Sequence, residues 1–102
     1  MSAAVEEKSG LMQKLNREAA KIAWHELQTY FASGKTVFVD PALDLIDTAA
    51  EIALDNKASL EPLIQSGQIA PVSDPQAQSW FRQNTLVWAV VVAPMVLVQP
   101  AS

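Results

Sequence analysis

From Leu11 to Ala32 the apolar positions recur with a helical period. At 100° per residue, Leu11, Met12, Leu15, Ala19, Ile22, Ala23 and Tyr30 share one arc, with Leu27 at its edge. Lys14, Arg17, Lys21 and Gln28 fall opposite. The spacing predicts one long amphipathic helix with a basic outer stripe, Trp24 and Phe31 lying at the margin of its apolar side. Ser33-Gly34 should end it, since glycine enters the left-handed conformation that closes helices. The polar residues ahead of it, 1–10, are expected to form a flexible start.

Thr36-Val37-Phe38-Val39 is β-branched and aromatic and lies between Gly34 and Pro41, which predicts a strand. Asp40-Pro41 reads as the cap and first residue of a second helix running to about Asp55 or Asn56. A third helix is expected over Ser59–Ser66, with Pro62 tolerated only in its first turn and Gly67 as its stop. Gln68–Val72 should be extended, because Pro71 pushes the residue before it away from helix. Ser73-Asp74-Pro75 repeats the start signal for a fourth helix through Trp80 and Phe81 to about Gln83, which Asn84 breaks.

The valine-rich tract after Asn84 is divided by Pro94 into Leu86–Val92 and Met95–Val98. Both lengths suit strands, and a hairpin about Ala93-Pro94 is the simplest arrangement. The prediction is a single α+β domain over residues 11–99. It has a long first helix and three shorter ones on a sheet of three or four strands that ends in a hairpin. The last strands are apolar on both faces: Val87, Ala89 and Val91 point one way, Leu86, Trp88, Val90 and Val92 the other. A half-exposed antiparallel strand would alternate with polar residues. Both faces therefore need cover, from helices or from a second subunit, which points to a homodimer.

Charge narrows the partners. The net charge is −4, split as five basic and four acidic groups in residues 1–39, and seven acidic groups against only Lys57 and Arg82 in residues 40–102. That balance speaks against a nucleic acid, whose phosphates are met by Lys and Arg. A membrane span would need about 20 unbroken apolar residues as a helix, which the tract interrupted by Pro94 does not supply. The chain has no cysteine, so it has no disulfide, thiolate metal site or thiol nucleophile, as suits a cytoplasmic protein. No basic start followed by an apolar region marks a secretory signal.

Asp44, Asp47, Glu51 and Asp55 recur at helical spacing as an acidic stripe that no lysine or arginine interrupts. Spread along some 16 Å of helix, they cannot all reach one metal ion. They suit docking of a basic surface, for which Lys14, Arg17 and Lys21 are the complement, in the same chain or a second copy. The bland alternative is a solvated face. Glu26 projects into the apolar arc near Tyr30, beside Trp24. It is therefore a candidate buried acid in an aromatic-lined ligand pocket, or else a structural carboxylate held by a neighbouring donor. Asn16 projects into the same arc. His25, the sole histidine, falls on the polar side; a solvated surface side chain fits it better than a general base paired with Glu18 or Glu26, since no motif supplies a positioned partner. Trp24, Trp80 and Trp88 suit core or interface anchors better than a cofactor box. No glycine-rich phosphate loop, HExxH or Gly-x-Ser-x-Gly is present.

Four stretches together are similar to a known family: Leu15–Phe31, Val37-Phe38-Val39-Asp40-Pro41 with Leu43-Asp44-Leu45, Asp55-Asn56-Lys57, and Leu86–Val92 with Pro94 and Val96–Gln99. Over residues 11–99 the chain resembles the short bacterial proteins catalogued as domain of unknown function 2288. The resemblance implies a bacterial, cytoplasmic protein and carries over no activity, cofactor or site residue. The sequence leans away from an enzyme and toward a self-associating interaction or assembly module. The alternative is a small-ligand binder or enzyme built on Glu26.

Overall fold

The computed structural model describes residues 3–101, with side chains from Glu7 onward. The first helix, α1, spans Ala3–Glu18, so most of the stretch expected as a flexible start is helical, and residues 1–2 lie outside the described residues. The helix also ends 14 residues earlier than the expected Ala32. The chain instead forms a strand, β1 (Ala20–Ala23), a 3-10 turn (Trp24–Leu27) and a short helix, α2 (Gln28–Ala32). Tertiary pairing overrides local preference here. Favouring helix over strand in Ala19–Ala23 is worth a few tenths of a kcal/mol per residue. Breaking it lets β1 pair with a buried strand and sends Trp24 fully inside. By area, that burial is worth about 4–6 kcal/mol as an upper figure.

The expected strand is β2, Thr36–Val39. The second predicted helix starts later than Asp40-Pro41. The Asp40 carboxylate accepts from the Ala42 N–H at 2.8 Å and makes a local turn. Gln99 Nε2 then holds the Asp40 and Leu43 carbonyls, at 3.0 and 2.8 Å, out of any helix. Asp44 caps α3 (Leu45–Ala53), accepting from Asp47 N–H at 2.9 Å. Helix α4 covers Lys57–Gln65, two residues earlier than expected, so that Pro62 sits beyond its first turn. Pro62 is exposed, and water can serve the carbonyl it leaves without a donor. Strand β3 is Ile69–Pro71, and α5 is Asp74–Arg82, opened by a capping box between Ser73 and Gln76. Strands β4 (Leu86–Val92) and β5 (Met95–Pro100) form the predicted hairpin about Ala93-Pro94.

Helices α2 to α5 share one ending. Gly34, Asp55, Gly67 and Asn84 all take positive φ, and in each case their N–H and the next one close back on the last turn. Aspartate and asparagine are the side chains that tolerate this conformation best after glycine.

Among the described residues the sheet has five strands, not three or four, in the order β1-β4-β5-β2-β3. Only β2 and β5 run parallel. Helices lie on both faces. On one face Trp24, Leu27, Val72 and Ala77 meet Val87, Ala89, Val96 and Val98, with Phe31 and Trp80 packed against them. On the other, α1 and α3 bring Leu15, Leu45, Ala49 and Ala50 against Val39, Val90 and Leu97. The chain's own helices thus bury Val87, Ala89 and Val90 of the two-sided apolar β4. Among the described residues no helix is long and apolar enough to cross a membrane.

Candidate interaction surface

The cover is incomplete in two places: Val91, on the face of Val87 and Ala89 near the strand's end, is 58% exposed, and a corner at the strand's start is open. Alternation along β4 puts Val87 and Ala89 into the Trp24 core, and Val90 under α1 and α3. Leu86 and Trp88 lie on the same face as Val90 but nearer the strand's start, where α1 and α3 leave part of the face open, and stay 48% and 41% exposed. Opposite them on β1 are Ala23 and Lys21. Residues directly opposite in a ladder share a face, and Lys21 Nζ sits 6.0 Å from the Trp88 ring centre. A hollow of about 480 Å³ lies beside Trp88, lined also by Asn16, Ala19, Leu43, Ile46 and Gln99. Through Asn16, Asp44 and Ile46 it adjoins a groove of about 600 Å³ between α1 and the start of α3.

This corner borders a free edge. Trp24 N–H donates to the Thr85 carbonyl at 2.9 Å. Bonded and non-bonded pairs alternate along an antiparallel ladder, so Ile22 and Ala20 also bond inward, while Lys21 turns its N–H and C=O outward and Ala23 its N–H, the Ala23 carbonyl opening the 3-10 turn. At the far edge, Asp40 N–H donates to Gln68 O at 2.8 Å, and Val72 N–H to Thr36 O at 3.2 Å. There Ala70 bonds inward, and Ile69 and Pro71 point out. Proline has no N–H to offer.

The acidic stripe finds a partner inside the chain, but not the one expected. Lys8 Nζ reaches Asp47 Oδ1 at 2.8 Å and also bonds Glu51. The carboxylates of Asp47 and then Glu51 push the Lys8 ammonium up to about 12. Lys8 in turn, with help from Asn56, holds Glu51 below the ordinary carboxylate value. Asp44 is spent on capping α3, and Asp55 takes the positive-φ position after it. Lys14, Arg17 and Lys21 make no salt bridge among the described residues; Lys14 and Arg17 are exposed on α1, Lys21 on β1. The role of Lys8 was legible in principle. It lies four and seven residues before Met12 and Leu15, on the same helical face, but only if the helix is extended back through the polar start.

The ligand candidates are not brought together. Trp24 is fully buried, whereas Glu26 faces solvent from the 3-10 turn and Tyr30 is 45% exposed on α2. The shared arc assigned to Glu26, Tyr30 and Asn16 assumed an unbroken helix, and the break after Glu18 removes it. Asn16 is exposed in the groove. Phe31, not Tyr30, meets Trp24, with ring centres 5.6 Å apart. Trp24 also lies nearly perpendicular to Trp80 at 5.1 Å. Its indole N–H is buried with no hydrogen-bond acceptor among the described residues. His25 stacks on Phe81 at 4.2 Å, and its Nε2 bonds the Phe81 carbonyl at 2.9 Å, a docking contact between the turn and α5. Among the described residues no group of His, Asp or Glu is clustered to hold a metal ion. Trp88 and Leu86 were read from the sequence as needing shelter, and nothing local marks where helical cover stops.

The chain belongs to the family described as "Protein of unknown function (DUF2288)", which it matches over residues 10–100. It is similar to PA1075 from Pseudomonas aeruginosa, whose structure was determined in solution by NMR. The two are 36% identical, with a TM-score of 0.80, over all of this chain and 94% of that one. No curated protein matches.

Proposed function

We propose that this member of the DUF2288 family is a non-enzymatic protein-interaction module that docks its partner at the β1–β4 corner. The observation that carries the reading is the coincidence of exposed Leu86 and Trp88 with the outward N–H and C=O of Lys21 and the outward N–H of Ala23. Scattered exposed apolar residues need no explanation. Two large ones beside an open strand edge offer both apolar area and backbone hydrogen bonds, the two ingredients of strand addition. Trp24 is buried, whereas Glu26 on the same turn and Tyr30 on α2 are exposed, which weakens the ligand-pocket alternative. The reading needs no cofactor, nucleic acid or membrane, and a cysteine-free chain suits a cytoplasmic setting. Self-association was expected from two bare sheet faces. The chain's own helices cover the middle of both, which leaves this corner and Val91 on the opposite face bare.

A photoreactive residue in place of Leu86, with one in place of exposed Ile64 on α4 as control, tests the site in the native host. The expected result is a defined adduct with another protein from position 86 and none from position 64. Adducts from neither, or equally from both, end the reading; an adduct with a second copy alone returns the homodimer.

A further inference from the structure

We infer that the free edge of β1 accepts an extended, acidic segment of a partner protein as a sixth strand, and that Lys21 selects it. The inference rests on the interaction reading above and adds the occupant. An added strand pairs with the outward groups of Lys21 and Ala23. Its residues opposite these two fall on the face of Trp88 and Leu86, and the residue between them falls beside Ile22. The row through Lys21 already holds an ammonium leaning over Trp88, so its complement is a carboxylate. The row through Ala23 holds a small side chain flanked by exposed Leu86. A large apolar residue opposite Ala23 spans the gap and covers Leu86. The segment that fits is therefore acidic and apolar at alternate positions of one face.

Charge also rules against the obvious rival. Pairing β1 with a second copy about a two-fold at Ile22 sets Lys21 opposite the partner's Ala23. The two lysines then lie diagonally adjacent on one face. A lysine on an edge strand is a common guard against self-pairing for this reason. Arg17, in the last turn of α1 just before β1, and Lys14 one turn back carry further positive charge with no salt bridge among the described residues. Residues 14–26 carry three basic and two acidic groups in a chain of net charge −4. The same charges that repel a second copy attract an acidic strand.

The test uses the purified full chain and two peptides built on Leu-Val-Glu-Val-Leu and Leu-Val-Lys-Val-Leu, which present the same face in either strand direction. Binding is read from the Lys21 and Ala23 amide resonances and from tryptophan fluorescence. The expected result is a preference for the glutamate peptide of roughly three- to thirtyfold, reversed by Lys21→Glu. Ala23→Pro removes one outward donor and should abolish binding of both. Ala23 already has φ −72°, which proline adopts, so the fold should persist. The inference is overturned by no binding of either peptide, by equal binding of both, or by binding that survives Ala23→Pro. It is equally overturned if the chain sediments as a dimer that Ala23→Pro dissolves. A peptide failure alongside a sound adduct from position 86 rejects the strand mechanism and leaves the interaction reading standing.

Discussion

At the β3 end of the sheet, one of the two outward positions is Pro71, and the Ile69 N–H is the one donor left there beside the outward carbonyls. At the β1 end both outward positions, Lys21 and Ala23, keep their donors, and the guard is the Lys21 charge. The difference lies in what each guard refuses. A missing N–H refuses every added strand alike, because the hydrogen bond cannot form with any sequence. A charge refuses only strands of like sign and favours those of opposite sign. The bare apolar pair, Leu86 and Trp88, lies beside the conditional guard. The two edge strands are also rooted differently. β1 leads straight into Trp24, buried between Phe31 and Trp80, whereas β3 leads through Val72 into the capped start of α5.

That contrast can be broken from the β1 side most strongly. Trp24→Ala should cost about 3–5 kcal/mol, as truncation of large buried aromatics does. Urea unfolding would measure it, and hydrogen exchange should show the β1 amides losing protection more than those of β3. On the β3 side, Ser73→Ala removes the capping box and should cost about 1 kcal/mol. Here the exchange pattern should reverse, with the start of α5 loosened. Equal loss of protection at both edges in either variant would show that the two are not rooted separately. Ala23→Pro gives β1 the guard that β3 already has. Its stability should stay within about 1 kcal/mol of the parent in urea, since no ladder bond is lost; a larger fall would mean that Ala23 N–H is not outward.

The smallest expected effect is the pH dependence of the Lys8 contact. Glu51 is held below 4.5 when folded, so its contribution is present above that value and lost as pH falls through the lowered one. Lys8 is raised from 10.5 to about 12, so its contribution is present below 10.5 and lost as pH rises through about 12. The urea midpoint of Lys8→Met should therefore lie slightly below the parent's at neutral pH and merge with it in acid. A constant difference across that range would mean that Lys8 acts through packing instead of charge.

Family membership was legible in the sequence, as were β2, α5, the C-terminal hairpin and the left-handed stops at Gly34, Gly67 and Asn84. Each follows from contacts within a few residues, or from a composition that only a pleated strand accommodates. The acidic stripe on α3 was legible too, but its partner was not, because Lys8 lies 43 residues away from Glu51 along the chain. Of the corner proposed as the interaction surface, the sequence supplied Lys21 and an apolar demand at Leu86 and Trp88, and nothing of their adjacency.

What the sequence determined alone is local: caps, stops, β-branched runs and the alternation that gives β4 two apolar faces. Only the tertiary structure decided that Ala19–Ala23 leaves the helix. The segment satisfies either periodicity, and its choice rests on β4's unpaired backbone groups, some 65 positions later, and on a core space the size of an indole among Phe31, Trp80 and Val87. That one choice buried Trp24, turned Glu26 and Tyr30 to solvent, and opened the edge that Lys21 guards.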